Sequence, residues 1–171
     1  MNDSSPPPLP APPPAYPAEF ERSWQAGDGT VLYLRPLRPD DLDREVAFIA
    51  GLSQQTLYYR LQYSSRSVSR EDAARLLELD YRDRMAVGAL SGAAPDETIV
   101  GVSRYARIDG SDQAECAIVV ADAWQGRGVG TELMRSLAQA ARASGIRTLP
   151  DHVPLNNVRW RLFQCLSLIH I

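Results

Sequence analysis

The sequence predicts an α/β or α+β fold in which helices lie between the strands of a sheet. Segments rich in β-branched and aromatic residues alternate with amphipathic segments that begin with helix-capping residues. The chain has 171 residues, of which 44% are apolar and 23% charged. This is the size and composition of one ordinary globular domain with a buried core.

The first twenty residues differ from the rest, because they contain eight of the 13 prolines. Proline has no amide to donate and its φ is fixed, so this segment favours neither helix nor sheet. Residues 1–21 are therefore predicted to be a disordered, solvated tail. The folded domain is predicted to span residues 22–165.

The first strand is predicted at residues 30–37 (TVLYLRPL), which follow a Gly-Asp-Gly turn. Asp40, with Asp43 three residues on, predicts the start of a helix that ends at Gly51. Ser53 is predicted to open a second short helix, SQQTLYYRLQ.

A capping box of Ser69 and Asp72 predicts a third helix. Three strands are expected after it. The strand-like segments are residues 84–90, 97–108 and 114–122, and a polar Gly-Ser-Asp turn separates the last two.

Residues 131–144 predict a long amphipathic helix that Gly145 ends. A further strand is expected in RTLPDHV, although Pro150 fits poorly inside a central strand. A last helix is predicted to start at Val158.

The stretch DAWQGRGVGTEL places three alternating glycines between a strand and a helix. The first amides of a helix have no internal partner and lie at the positive end of its dipole, and glycine lets a ligand approach the backbone. The stretch therefore predicts a phosphate or pyrophosphate site. It has neither the Gly-Lys of a Walker loop nor the spacing of a dinucleotide fingerprint. A plain chain-reversing turn is the alternative.

The segment QGRGVG also matches Q/R-x-x-G-x-G/A, the acetyl-CoA loop of the GNAT family of N-acetyltransferases. The preceding AECAIVVADAW resembles the fourth strand of that family, most of all in its Pat-type protein-lysine acetyltransferases. The resemblance runs from about residue 30 to 164. It implies a mixed, mostly antiparallel central sheet flanked by helices, and acetyl-CoA as co-substrate.

The resemblance also implies which residues bind the coenzyme. The backbone of residues 125–131 would hold the pyrophosphate: Gln125, Gly126, Arg127, Gly128, Val129, Gly130 and Thr131. The Arg127 side chain either contacts a phosphate or is solvated. Ile118, Val119 and Val120 would pair with the pantetheine arm, and the amide of Val119 or Val120 would stabilise the thioester oxygen. Asn157, or its neighbour Asn156, would contact the coenzyme.

Glu115 is the candidate general base. A lysine amine is protonated at neutral pH, so acetyl transfer needs a group that accepts its proton. The resemblance implies this role for Glu115, whereas the residues alone favour a solvent-facing glutamate at a strand end. Cys116 alternates to the opposite face of the strand. Tyr105 is the candidate general acid, and a core or surface aromatic is the favoured alternative.

The end of the chain departs from the family pattern. The expected Gly-Phe step and the last two strands do not follow the last predicted helix. Residues 166–171 (LSLIHI) are the literal translation of a transposon-end sequencing adapter. We therefore expect an incomplete sheet, and no function for these six residues.

The resulting prediction is an N-acetyltransferase that moves an acetyl group from acetyl-CoA to a primary amine, that of a protein lysine, by direct attack. A small-molecule amine acetyltransferase and a non-catalytic acyl-CoA-binding sensor are the alternatives. The net charge of −3 gives no basic footprint for nucleic acid, and no apolar run suits a membrane span. Neither cysteine has metal-ligand spacing. No metal and a cytoplasmic location are expected.

Overall fold

The computed structural model describes residues 15–53, 56 and 69–149, together with the backbone of residues 153–154. Several predictions lie outside these ranges and stay predictions. They concern the tail up to residue 14, most of the helix predicted from Ser53, the last helix, Asn157 and residues 166–171.

The centre of the domain is a five-stranded sheet in which each strand pairs antiparallel with the next along the chain. This confirms the mostly antiparallel sheet. The strands are β1 (Arg22–Gln25), β2 (Val31–Pro36), β3 (Arg84–Ser91), β4 (Thr98–Arg107) and β5 (Ala114–Val120).

The helices cover both faces of this sheet. One apolar core contains residues of α1 (Leu42–Ala50) and α2 (Arg70–Leu76), and the other contains residues of α3 (Val129–Ala143). Side chains of β5 alternate between the two, so Val119 packs towards α1 and Cys116 packs towards α3. In the described ranges, every helix is too short or too polar to cross a bilayer.

The start of α1 differs from the prediction that Asp40 caps it. A short 3-10 helix, Pro39–Asp41, comes first, and α1 begins at Leu42. The reason is that the neighbouring Asp41 is fully buried and accepts the Arg38 amide at 2.8 Å. The Ser69 capping box is confirmed, since its hydroxyl accepts the Asp72 amide at 3.1 Å.

The segment RTLPDHV does not form the single strand that was predicted. It contributes two short strands, β6 (Thr148–Leu149) and β7 (Val153–Pro154), which pair with each other. Pro150 has no amide for a continuous ladder, which accounts for the interruption. With the central sheet, β6 forms a single parallel bridge, between Thr148 and Gln113, just before β5. Within the described residues, the rest of the outer edge of β5 pairs with no strand, and only the Val120 carbonyl there accepts a side chain, that of Gln125 at 3.1 Å.

A buried ion pair joins β2 to the start of α1. Arg35 is 5% exposed and Asp41 0%, and two hydrogen bonds of 2.7 Å connect the guanidinium to the carboxylate. Burial opposes ionisation of Asp41, but the hydrogen bonds and charge of Arg35 outweigh it and hold the pKa of Asp41 below its usual range.

We expect Asp41→Asn to lower the free energy of unfolding by about 3 kcal/mol, because it leaves a buried guanidinium undercompensated. Asp43→Asn is the matched control. Asp43 pairs with Arg70 on the surface, so its loss should cost less than about 1 kcal/mol. Denaturant titration of both variants measures the difference, and equal effects would contradict the structural role of the buried pair.

The same pair predicts a pH dependence. The folded-state pKa of Asp41 lies below its unfolded-state value of about 3.9. Its contribution is therefore complete above that pH and is lost as pH falls through the folded-state pKa. The stability gap between wild type and Asp41→Asn should narrow below about pH 4. A gap that stays constant down to pH 2 would contradict this linkage.

Candidate active site

The pairing of β5 with β4 decides which backbone groups of β5 are available to a ligand. The Ala121 amide donates to the Val100 carbonyl at 2.9 Å, which fixes the phase of the ladder. In an antiparallel pair, alternate residues turn their amides and carbonyls away from the partner strand. Ile118 and Val120 therefore direct these groups to the open edge, whereas Val119 directs them to β4.

The loop after β5 leads into α3 through two glycines in the left-handed region. Gly126 has a φ of +74° and Gly128, the N-cap residue, a φ of +86°. The Glu132 amide donates to the Gly128 carbonyl at 3.1 Å. The preceding amides therefore have no acceptor within the helix. They belong to Val129, Gly130 and Thr131.

The open edge of β5 and this loop enclose a cavity of about 420 Å³. Seven of its eight lining residues were predicted from sequence to bind a coenzyme. The lining residues are Ile118, Val120, Trp124, Gln125, Gly126, Gly128, Gly130 and Thr131.

Three of the predicted binding residues do not line this cavity. The amide of Val119 points to β4, which removes it from the candidates for pantetheine pairing and for the oxyanion. The side chain of Val129 is buried in the core. Arg127 turns away from the cavity and donates to Asp28 at 2.8 Å, so its contact with a phosphate stays a prediction.

The strand β1, which was not predicted from sequence, supports the first turn of α3. Glu132, in the first turn of α3, is 2% exposed and pairs with Arg22 of β1 and with Arg135. Arg22 also donates to the Ser136 hydroxyl at 2.7 Å. These contacts fix the first turn of α3, and hence its free amides, against the sheet.

A second cavity, of about 560 Å³, lies against the beginning of β5. Glu115 and Ala117 line it from β5, and Arg104 and Arg107 line it from β4. One strand therefore borders both cavities, with Ile118 and Val120 at the first and Glu115 at the second.

The Glu115 carboxylate has no hydrogen bond or ion pair within the described residues. Asp109, at the same cavity, also has none there. By contrast, every arginine that lines this cavity has an acidic partner. The pairs are Arg75–Asp72, Arg84–Glu78, Arg104–Glu45 and Arg107–Asp83. Glu115 and Asp109 are therefore available to a cationic group that enters the cavity.

Tyr105 is buried in the core and also lines the 560 Å³ cavity, so its role as general acid stays a prediction. It is 3% exposed, and its hydroxyl oxygen lies 3.1 Å from the Arg82 carbonyl oxygen and 3.1 Å from the Ser144 hydroxyl oxygen. Burial raises its pKa. Cys116 lies in the α3 core and Glu115 does not, as the alternation predicted.

Sequence reasoning missed Glu45, which is 1% exposed on α1. One of its oxygens accepts from Arg104, and the other has no hydrogen-bond partner within the described residues. Glu45 borders a small chamber of about 30 Å³ beside Ala117 and Val119. A signal was present, because positions 42, 45, 46 and 49 share one helix face and the other three are apolar.

Comparison with known proteins identifies relatives of this chain. The model of the acetyltransferase (GNAT) family matches residues 54–166. Acetyltransferase PA5475 of Pseudomonas aeruginosa is 38% identical over 122 residues, which are 71% of this chain and 66% of that protein. Acetyltransferase Pat of Mycolicibacterium smegmatis is 34% identical over 147 residues, which are 81% of this chain and 42% of that protein. The chain thus spans less than two thirds of either relative.

Solved structures agree with these matches. The GNAT domain of S. lividans PAT has a TM-score of 0.71 and 33% identity, with 78% of both chains covered. The paia N-acetyltransferase of Thermoplasma acidophilum, solved with coenzyme A, has a TM-score of 0.52 at 16% identity over 67% of this chain and 74% of that one. At that identity, the second match is a likeness of fold.

We expect Gly128→Ala to weaken coenzyme A binding about tenfold, because a left-handed φ costs a residue with a Cβ about 1–2 kcal/mol. Gly145→Ala is the matched control, since Gly145 has a φ of +75° at the far end of α3. The affinity of Gly145→Ala for coenzyme A should equal that of wild type, although its free energy of unfolding should fall. Isothermal titration measures both affinities, and an equal loss in the two variants would contradict a specific role for the loop.

Proposed function

This chain belongs to the acetyltransferase (GNAT) family, and we propose that it moves the acetyl group of acetyl-CoA to a protein lysine with Glu115 as general base. Acetyl-CoA is the co-substrate of this family. One observation carries the proposal. The Glu115 carboxylate, which has no partner in the described part of the chain, lines the 560 Å³ cavity, and the edge of the same strand, β5, lines the 420 Å³ cavity. A donor and an acceptor can therefore meet along a single strand.

In this proposal the donor lies along the open edge of β5. The amides of the loop and of the first turn of α3 hold the pyrophosphate, where the helix dipole favours negative charge. The outward amides of Ile118 and Val120 and the Ile118 carbonyl pair with the pantetheine arm. The Val120 carbonyl already accepts the Gln125 side-chain amide at 3.1 Å. Asn157, outside the described residues, stays a predicted contact. Glu115 lies five residues before Val120, about 17 Å along the strand, so an extended arm leads from the loop towards it.

The chemistry follows from the protonation of the acceptor. Glu115 accepts a proton from the lysine ammonium, and the free amine attacks the thioester carbonyl carbon. The oxygen gains negative charge, which an outward amide of Ile118 or Val120 stabilises. The attacking nitrogen then loses its second proton to solvent, the C–S bond breaks and the amide product forms. The coenzyme leaves as a thiolate that takes a proton from solvent. Cys116 has no role in this step, because Glu115 accepts the proton and the amine attacks the thioester directly.

A protein lysine as acceptor is supported by two observations. The 560 Å³ cavity is open to a long side chain, and its carboxylates without an ion pair favour a cation. The resemblance to Pat-type enzymes, and relatives that carry the name Pat, support the same acceptor class.

We expect Glu115→Gln to reduce acetyl transfer to a lysine peptide by about 100-fold or more, with little change in acetyl-CoA affinity. The glutamine keeps the size of the side chain but accepts no proton. Its residual rate should increase with pH as the free amine fraction grows, since lysine has a pKa of about 10.4. Steady-state kinetics from pH 7 to 10 measure both effects.

Asp109→Asn is the matched control, because Asp109 lines the same cavity and likewise has no ion pair in the described part of the chain. It should retain most of the turnover. Unchanged turnover in Glu115→Gln would rule out the base assignment. Tight binding of acetyl-CoA without transfer to any amine in a broad panel would instead favour a non-catalytic acyl-CoA-binding module.

A further inference from the structure

Three side chains from two distant parts of the chain meet at the rim of the 420 Å³ cavity. Trp124 lines the cavity, and the guanidinium carbon of Arg127 lies 5.0 Å from the centroid of its ring. The same guanidinium donates to the carboxylate of Asp28 at 2.8 Å. Asp28 lies in the turn between β1 and β2, ninety-nine positions away in sequence.

The position of Asp28 does not depend on Arg127. One carboxylate oxygen accepts the Thr30 amide at 3.0 Å, and the other accepts from Arg127. The pKa of Asp28 is lowered mainly by the hydrogen bond from the Thr30 backbone, and the charge of Arg127 contributes less. Asp28 therefore stays ionised and in place if Arg127 moves away.

The ion pair between Arg127 and Asp28 is weak enough for another anion to replace Asp28. The two side chains are 41% and 40% exposed, so solvent screens their attraction. A guanidinium carries five donors in a fixed fork that suits a phosphate, and only one of them is used by Asp28. A phosphate dianion would therefore compete successfully with Asp28 for this guanidinium.

The location of Arg127 indicates which phosphate it would bind. The loop amides that can hold a pyrophosphate line the cavity, whereas Arg127 lies outside that lining, next to Trp124. Coenzyme A carries a third phosphate on its ribose, at the end remote from the thioester. We propose that Arg127 recognises this ribose phosphate and that Asp28 is its resting counter-ion, which the donor displaces. This inference rests on the proposed use of acetyl-CoA.

As the resting counter-ion, Asp28 competes with the ribose phosphate for Arg127 and therefore opposes the binding of coenzyme A. Coenzyme A and dephospho-coenzyme A, which lacks the ribose phosphate, are the probes for isothermal titration at fixed low salt. Wild type should bind coenzyme A about tenfold more tightly than the dephospho form. Arg127→Gln should bind both equally. Asp28→Asn should bind coenzyme A about two- to fivefold more tightly than wild type, with a much smaller gain for the dephospho form.

The exposed pair Arg147–Asp112 supplies the matched controls, since it lies away from the loop with a separation of 3.7 Å. Arg147→Gln and Asp112→Asn should leave both affinities unchanged.

Each contrary result has its own meaning. Equal affinity of wild type for the two coenzymes would overturn the Arg127 assignment while the proposed acetyl transfer still stands. Weaker coenzyme A binding in Asp28→Asn would overturn the counter-ion role. If wild type bound neither coenzyme, the proposed function would fail and this inference with it.

Discussion

Along β5, the antiparallel ladder with β4 fixes the direction of every backbone group. Ile118 and Val120 turn theirs to the open edge, and Val119 turns its own inward. The same two-residue period sends the side chains of Ala117 and Val119 towards α1 and places Cys116 in the opposite core. A one-residue slip would exchange all of these directions. The proposed division of the domain into a side for acetyl-CoA and a side for the amine acceptor therefore depends on this register.

A second constraint is the short path from β5 into α3. The chain turns through two left-handed glycines, which leaves the first amides of α3 without acceptors. The buried Glu132, paired with Arg22 of β1, holds that turn against the sheet. The β1–β2 turn also reaches Arg127 through Asp28. The loop is thus supported by the beginning of the described chain, far from it in sequence.

Local patterns predicted much of this domain. Strand-like apolar segments predicted β3, β4 and β5, and the glycine spacing predicted the loop, because these features depend on neighbours in sequence. The missed elements depend on distant partners. Nothing near Asp28 indicates that it meets Arg127, and only the apolar neighbours of Glu45 hint at its burial. The inward amide of Val119 could not be predicted either, because its direction follows from the register with β4 and not from the β5 sequence.

Amide hydrogen exchange at β5, with and without acetyl-CoA, measures directly whether the coenzyme lies along this strand. We expect the coenzyme to slow exchange at Ile118 and Val120, whose amides lie on the open edge. Val119 should already exchange slowly without the coenzyme, because its amide lies in the ladder with β4. Protection of neither edge amide by saturating acetyl-CoA, or protection that begins at Val119, would contradict a donor bound along β5.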